Sequence, residues 1–258
     1  MKIVIFGGTS EGRLLSNELA KAGADVVVSV ASDLGVEEQG AADGVAVVSG
    51  AKDEEGISEM IRGADMVIDA THPFAVIVTD NIRSAAEKTG VERLRLLRDE
   101  SPAADKETAS AADKGDADIR YAKDPEDAAA IAGKIGGRVL LTTGSKDLAL
   151  YAGVLDPEQL YPRVLPVVSS IKACEDAGIP HKNIIAVQGP FSHALNAAVI
   201  RDYEINVMIT KDSGAAGGFP EKISAAAECR IPVIVIMRPE EEGLSFDEIL
   251  AVCREKMK

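Results

Sequence analysis

Gly8-x-Ser10-x-Gly12, inside the stretch "FGGTSEGRLL" (Phe6–Leu15), has a spacing that serves two different chemistries. One is the nucleophile elbow of a serine hydrolase, where a strained strand-to-helix turn exposes the serine. The other is a phosphate cradle. Glycines between an apolar run and a helical pattern let an anion approach the backbone, and the first helical turn points free N–H groups at it. A hydrolase triad is available in chain order as Ser10, Asp69 and His72. The elbow, however, normally follows a central strand well into the chain, with an oxyanion loop upstream. Here it follows the first apolar run, which begins at Lys2, so neither has room. The cradle is preferred, with Ser10 read as helix N-cap and phosphate ligand.

Set on Gly7, the fingerprint G-x-G-x-x-G has Thr9 where the middle glycine belongs and Gly12 in the last place. The outer glycines keep the tight turn and the close helix packing of a dinucleotide site. Arg13 follows directly, and Ser29 and Ser32 stand at the far end of the second apolar run. Arginine and hydroxyl donors suit a 2′-phosphate and so lean toward NADP, whereas Asp33 leans toward an unmodified ribose. A short-chain dehydrogenase needs a tyrosine with a lysine four residues on. None of Tyr121, Tyr151, Tyr161 and Tyr203 has one.

Four further loops carry small or polar residues after apolar runs: "THPFA", "TTGSK", "GPFSH" and "KDSGAAGG". His72 is a donor that can titrate near neutrality, or a loop histidine bonded to backbone. Lys211 could hold a carboxylate or phosphate with Asp212 orienting it, or Asp212 or Ser213 could simply cap a turn. His181 and His193 lack metal-ligand spacing and read as surface residues; no metal site is expected.

Elements must hold these loops at one edge. "KIVIF", "ADVVVSV", "GVAVV", "ADMVIDA" and "RLRLL" read as strands, with helices over Ser10–Lys21 and Pro73–Lys88. "RVLLTTG", "NIIAVQGP", "EINVMIT" and "IPVIVIM" read as further strands. Helical patterns lie near Asp124–Ile135, Ser145–Ala152, Ser169–Ala177, Phe191–Arg201 and Pro220–Cys229. A last helix over Ser245–Lys256 has a capping box of Ser245 and Glu248. The alternation predicts an α/β protein of two Rossmann-like, doubly wound lobes with mainly parallel sheets and a cleft between them. The lobes are 1–100 and 118–258, and the polar, Ala-rich stretch 99–118 is a linker or surface excursion. "IVIFGGTSEGRLL" and "VLLTTGSKDLALY" share one layout, a hint of internal duplication.

Composition narrows the partners. The 258 residues carry a net charge of −14 and 3% aromatics with no Trp. That disfavours nucleic acid, anionic lipid and base-stacking platforms. The three cysteines lack CxxC spacing and read as free thiols in a reducing cytosol. No signal peptide or apolar run of about 18 residues is present, so a cytoplasmic location is expected.

Taken in order, "GGTSEGR", "SVASD", "DATHPFA", "LRLLR", "LLTTGSKDLALY", "RVLP", "GPF" and "KDSG" resemble the precorrin-6A reductase family of cobalamin biosynthesis, including its cobalt-precorrin-6A branch. The resemblance spans nearly the whole chain and expects Thr9 in place of the middle glycine. It implies NADPH-dependent reduction of the C18–C19 double bond of the macrocycle, giving precorrin-6B or its cobalt form. It implies that Gly7, Gly8, Thr9, Ser10, Glu11, Gly12 and Arg13, with Ser29 and Ser32, hold the NADPH of the N-terminal lobe, and that Thr71 and His72 line the nicotinamide end. Thr143, Gly144, Ser145, Lys146, Gly189, Pro190, Phe191, Lys211, Asp212, Ser213 and Gly214 would face the substrate. Arg98, Lys146, Arg163 and Lys211 are the cations offered to its carboxylates. No catalytic acid is required, since the macrocycle spreads charge; His72 and Lys211 are the catalytic candidates. Two other readings stay open: an NAD(P)-dependent dehydrogenase of another anionic metabolite, and a nucleotide-binding module without chemistry.

Overall fold

A computed structural model describes residues 1–97, 117–213, 217–239 and 241–257. Arg98, Gly214 and nearly all of the stretch 99–118 lie outside them. The chain divides into two compact units.

The first unit alternates strand and helix: β1 (Lys2–Phe6), α1 (Ser10–Lys21), β2 (Asp25–Val30), α2 (Asp33–Gln39), β3 (Val45–Ser49), α3 (Glu54–Ile61), β4 (Met66–Asp69), α4 (Val76–Thr89) and β5 (Glu92–Arg95). Its sheet is parallel, in the order β3-β2-β1-β4-β5. Ile3, Ile5, Val26, Val28, Met66 and Ile68 are buried, as continuous β-branched runs demand when helices cover both faces.

The second unit holds β6 (Ile119–Ala122), α5 (Pro125–Ile135), β7 (Val139–Leu141), α6 (Leu148–Val154), β8 (Leu160–Val164), α7 (Val168–Asp176), β9 (Ile185–Ala186), α8 (His193–Asp202), β10 (Val207–Lys211), α9 (Phe219–Cys229) and β11 (Val233–Ile236). Its sheet, also parallel, runs β6-β11-β10-β7-β8-β9. Read from the other edge, β9-β8-β7-β10-β11 repeats the order of the first unit, with β7 in the place of β1.

The last helix, α10 (Phe246–Lys256), corrects the expected boundary. Residues 239–258 belong to the first unit, not the second. Ile249, Leu250 and Cys253 are buried in one cluster with Ile3, Leu15 and Leu19. Just before the helix, Leu244 bridges Leu96 in parallel, and Leu97 N donates to Leu244 O at 2.8 Å. Gly243 is required there, because a Cβ would stand 2.6 Å from the Arg95 carbonyl oxygen. An amphipathic pattern tells which helix face is buried but not which sheet buries it. The capping box of Ser245 and Glu248 is present as expected.

Other differences are local. The helix expected from Pro73 starts at Val76, because Ala75 N bonds to His72 O and closes a turn first. β8 was not expected as a strand. Pro162 and Arg163 interrupt its apolar run, yet it lies between β7 and β9 and all five of its residues are buried.

Candidate functional site

In open parallel sheets, ligands bind beyond the carboxyl ends of the strands, where the strand order reverses. In the first unit that point lies between β1 and β4. The two loops leaving it are Gly7–Thr9 and Ala70–Ala75, the two that sequence reasoning singled out.

Thr9 joins them. Its hydroxyl donates to Ala70 O at 3.0 Å and accepts from Gly12 N at 3.0 Å. Thr9, not Ser10, is therefore the N-cap of α1; Ser10 is the first helical residue. The extended backbone at Thr9 suits a cap, and the hydroxyl takes one of the donors that every helix start leaves open. Gly12 is small of necessity, since its Cβ would approach the Ala70 Cβ to 2.8 Å. Gly8 has φ +125 and no heavy atom within 4 Å of a would-be Cβ, so the turn exposes bare backbone. These features fit a phosphate-bearing cofactor.

The three residues expected at a 2′-phosphate come from three different elements. Ser29 lies within β2 and is buried, rather than standing beyond the strand. The Ser32 hydroxyl caps α2, accepting from Gly35 N at 3.4 Å. Arg13 is exposed, and its Nη1 donates to Glu38 O at 3.1 Å.

Beneath the second loop lies a buried ionic network. Asp69 is fully buried at the end of β4. Its Oδ1 accepts from Arg95 Nη1 at 2.6 Å and from the Thr71 hydroxyl at 2.7 Å. Arg95 Nη2 reaches Glu241 Oε1 at 2.6 Å, and Arg93 stands 3.7 Å from Asp69 Oδ2. A buried carboxylate survives because it is paired and hydrogen-bonded. The Thr71 hydroxyl is thus engaged in holding the loop. The His72 ring packs on Phe74 with centroids 5.6 Å apart, and its Nδ1 accepts from Phe74 N at 3.3 Å. In the neutral ring that places the proton on Nε2.

The corresponding reversal in the second unit falls between β7 and β10. Lys211 Nζ donates to Asp147 Oδ2 at 3.1 Å, so Asp147 joins the predicted residues there. The Asp212 carbonyl accepts from Arg238 Nε at 2.9 Å, with Arg238 Nη2 3.6 Å from its carboxylate. Thr143 and Gly144 follow β7, the latter with φ +84. Burial pushes the phenol of Tyr151 up, against a lowering contribution from Thr143. Ser145 meets Ser170 at 3.5 Å, and Lys146 is exposed. Gly189 and Pro190 are joined by a cis bond, and Phe191 lies under the Arg163 guanidinium. Ser213 donates to Gly217 O at 3.2 Å. His181 and His193 are exposed and bonded to Glu175 and Glu228 respectively.

With this geometry in place, the comparisons decide the family. Residues 2–254 match the family described as Precorrin-6x reductase CbiJ/CobK. The chain belongs to this family. A cobalt-precorrin-6A reductase of Priestia megaterium is 35% identical over 245 residues, covering 93% of this chain and 91% of the relative. One from Salmonella typhimurium is 36% identical, covering 92% and 87%. A precorrin-6A reductase of Rhodococcus erythropolis is 32% identical, covering 92% and 89%. Among solved structures, CobK precorrin-6A reductase superposes with TM-score 0.74 at 23% identity, over 99% of this chain and 97% of that one, so the fold is shared. Membership makes the protein an oxidoreductase of cobalamin biosynthesis.

Two stretches that carry the family resemblance gain physical content from the structure. "LRLLR" contributes the buried Arg95 and "RVLP" the buried Arg163. Sequence reasoning weighed Asp69 only as a triad acid and passed over Arg95, Glu241, Asn196 and Lys222. Arg95 lay with Arg93 inside a predicted strand, a rare place for cations. Lys222, in an amphipathic helix, gave no signal.

Proposed function

We propose that the protein uses NADPH to reduce the C18–C19 double bond of precorrin-6A or cobalt-precorrin-6A, giving the 6B form. The observation that carries this reading is the family match over residues 2–254. Relatives named cobalt-precorrin-6A reductase and precorrin-6A reductase support writing the substrate with and without cobalt. When bound, the nicotinamide supplies the hydride; the protein supplies orientation and field.

The turn Gly7–Gly8–Thr9 and the first turn of α1, through Ser10, Glu11 and Gly12, hold the diphosphate. The absence of a side chain at Gly8 and the helix N–H groups favour an anion there. Arg13 and Ser32 serve the 2′-phosphate, with Ser29 confined to shaping the strand end. Thr71, fixed by Asp69, and His72, fixed by Phe74, line the nicotinamide end. Thr143, Gly144, Ser145, Lys146, Gly189, Pro190, Phe191, Lys211, Asp212 and Ser213 face the polycarboxylate macrocycle from the second unit; Gly214, assigned with them, lies outside the described residues. Hydride delivery leaves charge that the conjugated ring spreads, so no acid is assigned. The location is cytoplasmic, in keeping with a biosynthetic enzyme and with no helix, among the described residues, long and apolar enough to cross a membrane.

Anaerobic turnover with the metal-free and the cobalt substrate tests the proposal. NADPH oxidation that depends on either tetrapyrrole is expected. Oxidation supported by small keto acids but by neither tetrapyrrole would overturn it in favour of a dehydrogenase. No fluorescence change of NADPH at micromolar protein would overturn both.

A further inference from the structure

Two cations are buried in the second unit with no carboxylate, among the described residues, at ion-pair distance. Arg163, on β8, is 6% exposed, and Lys222, in the first turn of α9, is 7% exposed. The contacts of Arg163 are neutral. Its Nη1 donates to Asn196 Oδ1 at 2.7 Å, and its guanidinium lies 4.1 Å from the centroid of the Phe191 ring. Lys222 Nζ donates to Gly217 O at 3.0 Å and lies 3.4 Å from Ser213 Oγ. The two charges repel each other: burial first, then Arg163, pulls the Lys222 ammonium down to about 8. Burial takes Arg163 down to about 10. Glu221, next to Lys222 in α9, attracts it without forming an ion pair among the described residues.

The buried Arg95 shows the usual solution, with Asp69 and Glu241 both at 2.6 Å. Burying a charge is costly unless it is paired, and burying two like charges that feel each other costs more. A fold that tolerates this has a counter-charge arriving from outside. The position is right for it. Arg163 stands near the carboxyl end of β8, and the segments that open α8 and α9 supply the other groups. That is the edge where parallel sheets take ligands.

We infer that Arg163 and Lys222 form a receptor for an oxyanion, a carboxylate of the macrocycle or a phosphate of the cofactor, with Asn196 and Phe191 orienting the guanidinium. The inference deepens the reductase reading and rests on it for the two named sources. A charge-assisted, partly bidentate contact in a desolvated site is the strong form of oxyanion recognition.

The test uses the full chain and Lys222→Met, with Lys222→Arg as the charge-keeping control. Without ligand, Lys222→Met is expected to melt several degrees above wild type, since it removes an unneutralised charge. At matched ionic strength, replacing sodium chloride by sodium phosphate should raise the wild-type melting temperature at least twice as much as that of Lys222→Met, while Lys222→Arg keeps the wild-type response. Titrations with NADPH (by fluorescence) and cobalt-precorrin-6A (by absorbance) then name the source. Lys222→Met should weaken one ligand about tenfold and leave the other within twofold. A lower melting temperature with an unchanged phosphate response would mark Lys222 as merely structural and overturn the inference. So would a loss for both ligands together, or for neither. If Lys222→Met fails to fold, Arg163→Gln takes its place in every arm. A wild-type phosphate response without any NADPH-dependent turnover would sink the reductase reading and keep the site. Turnover without that response would sink the site alone.

Discussion

Lys222 can be examined through pH as well as through ligands. Its ordinary value is 10.5, and in the folded chain it falls to about 8. The unfolded state therefore holds the proton more tightly. Below pH 8 the lysine is protonated in both states and its burial penalty is fully present. As pH rises from 8 to 10.5 the folded state sheds the proton first and the penalty is relieved. A shift of this size is worth roughly 3 kcal/mol at neutral pH. The charges facing Lys222 are Glu221 on its own helix and Arg163 on β8, and Arg163 titrates only near 10, above this range. The stability gap between Lys222→Met and wild type, from urea unfolding, is thus expected to narrow by about 1 kcal/mol over that range. A gap that stayed constant or widened would contradict an uncompensated ammonium at this position.

At the scale of elements, Thr9 fastens α1 to the end of β4. Thr9→Val keeps the shape but leaves Ala70 O and Gly12 N without the hydroxyl. A lost cap and a lost bond together are expected to cost about 1–2 kcal/mol, read as a lower urea midpoint at an unchanged slope. NADPH affinity should fall severalfold, and Thr9→Ser should restore both. How far such elements were legible depends on the signal that each one carries. β1, β2, β4 and β11 announce themselves as unbroken β-branched runs, and Ser245 with Glu248 announces the start of α10. The glycine turn after β1 was legible as a cradle, because Gly8 and Gly12 have few other uses there. Thr9 as cap was not, because Thr9 and Ser10 are both good caps and only the backbone decides between them. Ser29, near the end of the run "ADVVVSV", is buried within β2, and no periodicity shows whether the end of a strand stays open to a ligand. The buried partners, Asp69 with Arg95 and Arg163 with Asn196, stand 26 and 33 residues apart in sequence. Nothing local to either residue names the other.

At the scale of the whole chain, connectivity matters more than any single loop. In each unit the strand that corresponds to β5 has one more neighbour, and that neighbour comes from chain that follows the other unit's fifth strand. β6, which follows the first unit, pairs with β11, and Leu244, which follows β11, bridges Leu96 just past β5. α5 and α10 then come next in the two cases. The first unit is thus built from two separate segments, Met1–Asp99 and Pro239–Lys258, whereas the second, Glu100–Arg238, is continuous. A chain ending at Arg238 would still contain β1 to β5 but would lose Ile249, Leu250 and Cys253 from the core around Ile3, Leu15 and Leu19. Burying a large aliphatic side chain contributes roughly 1.5–3 kcal/mol, so their removal takes a sizeable part of a domain's usual margin of about 5–15 kcal/mol. Truncation after Arg238 is expected to unfold the first unit while β7 to β11 keep their protection. Hydrogen exchange followed peptide by peptide would show it: fast exchange over β1, α1 and β4, slow exchange over β10 and β11. Equal protection of both sets would mean that α10 covers the first unit without being needed to hold it.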